Sequence, residues 1–385
     1  MGRNGARDNP VRGLRVLFLV RALSVGGAET QLVATAIGLK QRGHDVQIAV
    51  FYGVESPLVR EAAANGVCVV NLEKRSRWDV VGFMRRLRAA VVQHRADVVY
   101  SYLPSANVVS ALASSLHKRV GVVWGIRATQ VGGASYDWLG QVMAGCERLL
   151  ARRADAVIVN SARGIEHHAR RGLPRDVMRL VRNGVDTGRF RFDADARQRL
   201  RSQAGIADIE PLVLVAGRHD PMKGIETFLS ACQALPVRAM IIGGWNEPYT
   251  SQLRSLAASL GLADRVQWLD QQADMSGWMS AADIVCSASY GEGTSNVLIE
   301  AIACNALTVA TDVGDSAEIV GDPARMAAAR DGEGLVRALR TAIAMLPGWD
   351  RHALPPVQLN NYAIETMLAE TESVLAAVAA ERAGI

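Results

Sequence analysis

The 385 residues, 49% of them hydrophobic, suffice for two domains of ordinary size with their own cores. The formal charge of +5 is carried almost wholly by arginine, since Lys40, Lys74, Lys118 and Lys223 are the only lysines; a bias toward Arg, Ala and Gly codons accounts for it, and no nucleic-acid partner is expected. The five scattered cysteines (Cys68, Cys146, Cys232, Cys286, Cys304) form no C-x-x-C or Cys/His cluster, and no apolar run approaches the roughly 20 residues of a membrane span, which predicts reduced, mostly buried thiols and no zinc site.

The start, from Met1 to Val11, is polar and unlike a signal peptide, so residues 1–13 read as a disordered tail of a cytoplasmic protein. An apolar run over 15–20 predicts a buried strand. A Gly26-Gly27 loop, a helix over 29–42 and strands over 46–51, 67–72, 97–102, 120–125 and 156–160 follow, with helical stretches between them. Near Asn183-Gly184-Val185-Asp186 the pattern breaks into a polar, arginine-rich linker running to about residue 210, with a short helix over 194–203. A second series has strands at 211–215, 239–242, 266–269, 284–287 and 307–310. Pro355 and Pro356 mark another break before a helix over 362–380. Two such strand–helix series specify an α/β chain of two Rossmann-like domains, each with a mainly parallel sheet covered on both faces, flanking a central cleft. The expected division is residues 14–190, residues 191–358, and a helix over 359–385 returning to the first domain.

Two stretches carry the chemistry. In Val215-Ala216-Gly217-Arg218-His219-Asp220-Pro221-Met222-Lys223-Gly224 a strand ends at Gly217, a loop presents Arg218 and Lys223, and a helix begins near Ile225. Open α/β sheets bind ligands beyond the carboxyl ends of their strands. There a planar Arg fork and a compact Lys charge suit a diphosphate; a solvated loop is the plainer alternative. In Gly291-Glu292-Gly293-Thr294-Ser295-Asn296-Val297-Leu298-Ile299-Glu300 two carboxylates stand eight positions apart, Glu292 in a loop and Glu300 inside the helix that follows. Thr294 or Ser295 is the candidate N-cap, and the helix start is an anion site. Acidic groups beside an anion site suit hydroxyl-rich cargo carrying phosphate, such as a nucleotide sugar. No G-x-G-x-x-G follows the first strand, which argues against a dinucleotide oxidoreductase.

Gly217-Arg218 with Lys223-Gly224, Ala282-Asp283, Gly291-Glu292-Gly293 through Glu300-Ala301, and Val309-Ala310-Thr311-Asp312-Val313-Gly314 resemble the retaining glycosyltransferases of family 4. So do Gly26-Gly27-Ala28-Glu29, Arg42-Gly43-His44, Asn160-Ser161 and Asn183-Gly184-Val185-Asp186; the resemblance runs from about residue 14 to 322. It implies the GT-B fold and transfer without a catalytic metal or other cofactor. It also implies that Arg218 and Lys223 hold the donor diphosphate and stabilise it as it leaves, that Glu292 contacts the transferred sugar, and that Glu300 accepts hydrogen bonds from the ribose. The backbone of Gly293, Thr294, Ser295, Asn296 and Val297, with Gly217, would lie along the donor, and Gly26 and Gly27 would close over its phosphates. An epimerase of the same fold and a catalytically silent nucleotide-sugar-binding subunit remain alternatives; a phosphorylase would need a further lysine for pyridoxal.

Three positions depart from the family pattern. Arg127 stands where many members have histidine; it cannot act as a base, and contact with an anionic acceptor or sugar group is the expected role, a surface arginine the alternative. Asn305 replaces a glycine after the Glu300 helix and tolerates the left-handed conformation. Leu269-Asp270-Gln271 replaces a glycine-containing segment near the base pocket, leaving both UDP- and GDP-sugars as donors. His219, beside the phosphate loop, reads either as a donor contact or as an exposed loop histidine, and His167-His168 as part of a solvated face. The basic, aromatic-bearing stretch Lys74-Arg75-Ser76-Arg77-Trp78 with Phe83, Arg85, Arg86 and Arg88 suits either anionic lipid on the inner membrane face or plain solvent. The resemblance places the activity in assembly of a surface polysaccharide on a glycan or lipid-linked acceptor.

Overall fold

The computed structural model describes residues 13–76, 78–114, 119–127, 145–353 and 355–384. The expected tail as far as residue 12, Lys118, and Arg77 of the basic stretch lie outside the described residues.

Two sheets organise the chain. Strands β1 (Arg15–Val20), β2 (Asp45–Val50), β3 (Cys68–Asn71), β4 (Val98–Tyr102), β5 (Gly121–Ile126), β6 (Ala156–Val159) and β7 (Met178–Leu180) form a seven-stranded sheet in the order β3-β2-β1-β4-β5-β6-β7. Strands β8 (Leu212–Ala216), β9 (Arg238–Ile242), β10 (Val266–Leu269), β11 (Ile284–Ser287), β12 (Leu307–Thr311) and β13 (Met326–Ala327) form a six-stranded sheet in the order β10-β9-β8-β11-β12-β13. β8 pairs in parallel with both β9 and β11, and β1 with both β2 and β4. Each sheet therefore reverses its strand order once, beside its first strand, as doubly wound sheets do.

The alternation of side chains shows how the second sheet is buried. Leu212, Leu214, Met240, Ile242 and Val285 join one core, with Leu298 and Ile302 of the helix Asn296–Ala303. Val213, Val215, Ala239, Ile241 and Ile284 join the other, with Phe228 and Leu229 of the helix Ile225–Gln233. Strand residues one apart point to opposite faces, so helices on both sides leave neither face wet. In the first sheet Leu17, Leu19, Ala49 and Val99 pack under Phe83 and Leu87 of the helix Val80–His94.

Two strands escape a reading by apolar runs: β7 has three residues and β13 two. The first helix begins at Gly27 rather than 29, and the last spans Ile364–Ala383. Among the described residues, internal contacts group those up to Gly125, Leu149–Val157 and those from Thr371 onward as one compact unit, and those from Ile126 to Arg148 and from Ile158 to Glu370 as a second. Within the first, the last helix is fixed by ion pairs: Glu372 receives Arg42 Nη1 and contacts His44 Nε2, each at 3.0 Å, and Arg382 Nη2 lies 2.6 Å from Asp155 Oδ1. Within the second, Asp283 accepts the Leu212 amide at 2.8 Å and the guanidinium groups of Arg201 at 3.1 Å and Arg197 at 2.5 Å. The arginine-rich segment thus docks its helix, Ala194–Gln203, onto the sheet, and the Ala282-Asp283 motif is explained as its anchor. Asn305 adopts the left-handed conformation, with φ 54°, and donates to the carbonyls of Asp350 and Ala353.

Among the described residues no helix is long and apolar enough to cross a membrane, and no three His, Cys, Asp or Glu side chains gather as metal ligands. Cys232, Cys286 and Cys304 are buried; Cys68 is exposed.

Candidate active site

In the second sheet the strand order reverses between β8 and β11, the position beside which open α/β sheets bind their ligands. The loop after β8 holds Gly217, Arg218 and Lys223. The loop after β11 runs through Glu292 and Gly293 to the helix Asn296–Ala303. Topology therefore brings the two chemical stretches to one place, although about 70 residues separate them in the chain.

The two loops are tied together. The Tyr290 amide donates to the Met222 carbonyl at 2.7 Å. Lys223 Nζ lies 2.5 Å from Glu292 Oε1, which also accepts Ser289 Oγ at 2.8 Å. Lysine and glutamate are thus direct partners rather than groups placed on opposite sides of a ligand. Backbone contacts clamp the second loop from two sides. Gly224, with φ 61°, would place a Cβ 2.1 Å from the Ala288 carbonyl oxygen, and Gly314, with φ 54°, would place one 1.9 Å from that of Gly293. Neither position has room for a side chain or a conformation that suits one. That accounts for the glycines of Lys223-Gly224 and Val313-Gly314.

Arg218 projects into solvent, its side chain 71% exposed, with Nη2 3.1 Å from Asp220 Oδ2. Asp220 Oδ1 accepts the Met222 amide and so shapes the turn that ends at Lys223. His219 departs from the exposed reading. It is fully buried, its Nδ1 3.0 Å from Thr250 Oγ1 and its ring against Trp268; burial, with Arg254 nearby, holds its pKa below the usual histidine range. The loop after β8, held where the His219 amide donates to the Gly244 carbonyl at 2.9 Å, turns it inward while Arg218 faces out. His168 is likewise buried rather than solvated.

The Asn296–Ala303 helix starts without the expected cap. Ser295 occupies the N-cap position but its hydroxyl makes no cap bond, and Thr294 Oγ1 donates instead to the Asn160 carbonyl at 2.6 Å. Asn183 Nδ2 donates to Asn296 Oδ1 at 2.7 Å, and Asn183 Oδ1 accepts Arg127 Nη1 at 3.1 Å. Arg127 is therefore buried and bonded within a polar network, not a surface arginine. Gly293 is also held by this network, since a Cβ there would meet Asn160 Oδ1 at 2.5 Å. Asn160, Asn183 and Ser289 belong to the site as supports; the motifs containing the two asparagines were visible in sequence, but their convergence on Thr294 and Asn296 was not.

Val297 packs at the edge of the core. Glu300, the fifth residue of the helix, is surrounded by protein while part of its side chain reaches solvent. Desolvation pushes its carboxyl up to about 7, against the pull of Arg189. It forms no ion pair with a described residue. Gly26 and Gly27 lie in the first unit, Gly26 as the extended N-cap, with φ −154°, and Gly27 as the first residue of the helix Gly27–Gln41.

Residues 25–189 match the family model described as Glycosyltransferase Family 4, and residues 210–345 that of Glycosyl transferases group 1. A D-inositol 3-phosphate glycosyltransferase of Nocardia farcinica is 28% identical over 334 residues, 78% of this chain and 72% of that protein. One from Xylanimonas cellulosilytica is 32% identical over 46% of this chain, and the lipopolysaccharide core biosynthesis mannosyltransferase LpsB of Rhizobium meliloti is 30% identical, also over 46%. The chain spans about half the length of these last two relatives, 45% and 50%. Among solved structures, Anabaena HepE in complex with UDP and glucose superposes with a TM-score of 0.83 at 21% identity, covering 94% of this chain and all of that one. WaaG, a glycosyltransferase involved in lipopolysaccharide biosynthesis, gives 0.67 at 17%, covering 96% and 100%. These two likenesses are of fold, two parallel-sheet Rossmann-like domains in the GT-B arrangement. The motifs, the sheet order and the two family models agree: the chain belongs to the glycosyltransferases of family 4.

Proposed function

We propose that the protein transfers a sugar, with retention of anomeric configuration and without a metal, from a UDP- or GDP-sugar to a hydroxyl of a glycan or lipid-linked acceptor in surface polysaccharide assembly at the cytoplasmic membrane face. The observation that carries the donor assignment is the assembly at the strand-order reversal: a lysine paired with the loop carboxylate ahead of an uncapped helix start, an arginine on the same loop as that lysine, and a desolvated carboxylate on the helix. Cations and helix-start amides suit the diphosphate, and the carboxylate of Glu300 suits the ribose hydroxyls. The complexes of HepE with UDP and with UDP-glucose support a nucleotide-sugar donor, and the names of LpsB and WaaG support the polysaccharide context.

In the proposed reaction the bond from the sugar to the diphosphate breaks first. Lys223 and Arg218 offset the charge that builds on the leaving oxygen, the role a metal ion would otherwise fill. That oxygen takes the acceptor proton as the acceptor attacks from the same face, so configuration is kept. Glu292 orients the sugar, the Gly217 and Gly293–Val297 backbone lies along the donor, and Gly26 and Gly27 cover its phosphates. Arg127 neutralises an anionic group of acceptor or sugar.

Donor turnover should release nucleoside diphosphate in the presence of acceptor and continue in excess chelator; loss of activity on chelation would contradict the metal-free mechanism. UDP or GDP should raise the melting temperature, because only the folded chain binds it. Nucleotide binding with no release for any extract-derived acceptor would favour a silent binding subunit.

The direct pairing of Lys223 with Glu292 yields a less obvious expectation. Glu292 pairs with the lysine that the proposed reaction assigns to phosphate, so the two compete for it. Glu292→Gln should therefore tighten nucleoside diphosphate binding, by about fivefold for a half-buried ion pair, while turnover falls. Titration calorimetry with UDP and GDP reads the first effect; unchanged or weaker binding would refute the competition.

A further inference from the structure

The helix Val80–His94 has an outward face that the donor chemistry does not use. Its inner face, Phe83 and Leu87, is buried in the first unit's core. At the spacing that stacks side chains on one side of a helix, the outer face carries Val81, Arg85, Arg88 and Val92. All four are exposed, Val81 at 74%. Immediately ahead of the helix Trp78 stands 85% exposed, its amide held by Ser76 Oγ at 3.2 Å. A large aromatic and valines in water cost free energy unless something covers them.

Charge identifies the cover. Residues 72–95 contain seven Lys and Arg against two acidic residues, an excess of five, equal to that of the whole chain. The helix itself contains no acidic residue, and Asp79, its N-cap, is taken by Arg86. Among the described residues Arg75, Arg85 and Arg88 have no carboxylate within ion-pair distance. Basic side chains interleaved with valine and tryptophan suit a surface that is anionic at its polar layer and apolar below it; a purely polar polyanion would leave the valines and the indole exposed.

We propose that this face, from Trp78 along Val81, Arg85, Arg88 and Val92, rests on the surface of an anionic lipid bilayer. The arginines meet the headgroups, and Trp78 and the valines enter the boundary between headgroup and acyl chains. The inference is independent of the donor site, and either can fail without the other.

The full-length protein is sedimented with vesicles of neutral phosphatidylcholine and with vesicles containing phosphatidylglycerol. Binding should require the anionic lipid and fall with salt. Arg85→Glu/Arg88→Glu should weaken it at least 25-fold, since each basic residue near such a surface contributes roughly fivefold. Trp78→Ser should weaken it at fixed charge. All variants should keep the wild-type circular dichroism and nucleotide-induced thermal shift, which separates lost docking from lost folding. Equal vesicle binding by the double variant overturns the proposal. So does a Val81→Asp variant that dissociates a dimer in size-exclusion chromatography while still binding vesicles, because a second copy would then be the cover. Binding to duplex DNA that is lost with the arginines but indifferent to Trp78→Ser, without vesicle binding, also overturns it.

Discussion

Lys223→Ala is expected to lower turnover about 10²–10³-fold while weakening donor binding less than tenfold. The asymmetry follows from when the charge matters. In the proposed donor complex the diphosphate would share its charge with helix amides and Arg218, and Lys223 would be one partner among several. As the sugar–oxygen bond breaks, a full extra charge develops on the leaving oxygen, and a compact ammonium there stabilises the transition state more than the ground state. Removing the lysine also strips Glu292 of its 2.5 Å partner, so the half-buried carboxylate would repel the diphosphate. Steady-state nucleotide release and calorimetry separate the two effects, and the double variant Lys223→Ala/Glu292→Gln should recover some binding but not rate. Turnover within threefold of wild type would remove Lys223 from the leaving-group role.

Glu300→Ala should weaken nucleotide binding about 100-fold, since hydrogen bonds to a charged group contribute roughly 1.5–3 kcal/mol each. A 2′-deoxynucleotide should bind wild type correspondingly worse and the variant no worse, so persistent discrimination in the variant would refute the ribose contact. The environment of Glu300 adds a pH dependence whose sign is fixed. Burial pushes the carboxyl from 4.5 to about 7, and donors from a ribose would pull it back down. Binding below pH 7 must then expel a proton, and affinity should fall about tenfold per pH unit between 7 and the lower pKa of the complex. Stability runs the opposite way. Between 4.5 and about 7 the folded chain keeps a proton that the unfolded chain has lost, so stability falls as pH rises through that window and levels off above it. Glu300→Gln should accordingly be more stable than wild type at pH 8, by at most ~3 kcal/mol, and nearly equal to it at pH 4.

What was legible in the chain was whatever depends on local periodicity or short motifs. Strand β1 over Arg15–Val20 lies where its continuous apolar run places it, and the helix Ala194–Gln203 where the linker is expected to hold a short helix. The strands β7 and β13 are too short to leave a pattern, and they exist because a neighbour offers them a ladder. Features that depend on long-range meeting were hidden. His219 sits next to a solvent-facing arginine in a charged loop, and only the packing of Thr250 and Trp268 against it makes it a core residue. Asn183 and Asn160 lie more than a hundred residues from Thr294 and Asn296, and no spacing rule links them. The serine and threonine before the Glu300 helix have the composition of a cap, but tertiary contact with the Asn160 carbonyl claims the threonine hydroxyl.

The glycine clamp bears on how donor preference can change. The segment from Ala288 to Gly293 is wedged between the backbones of Gly224 and Gly314, so neither wedge can gain a methyl group without displacing it. Libraries that vary 224, 314 or the wedged segment would mostly sample damaged proteins. Asp270 and Gln271, exposed beyond the end of β10, have no such confinement. A redesign would find its freedom at such exposed positions while the gripped loop stays as it is.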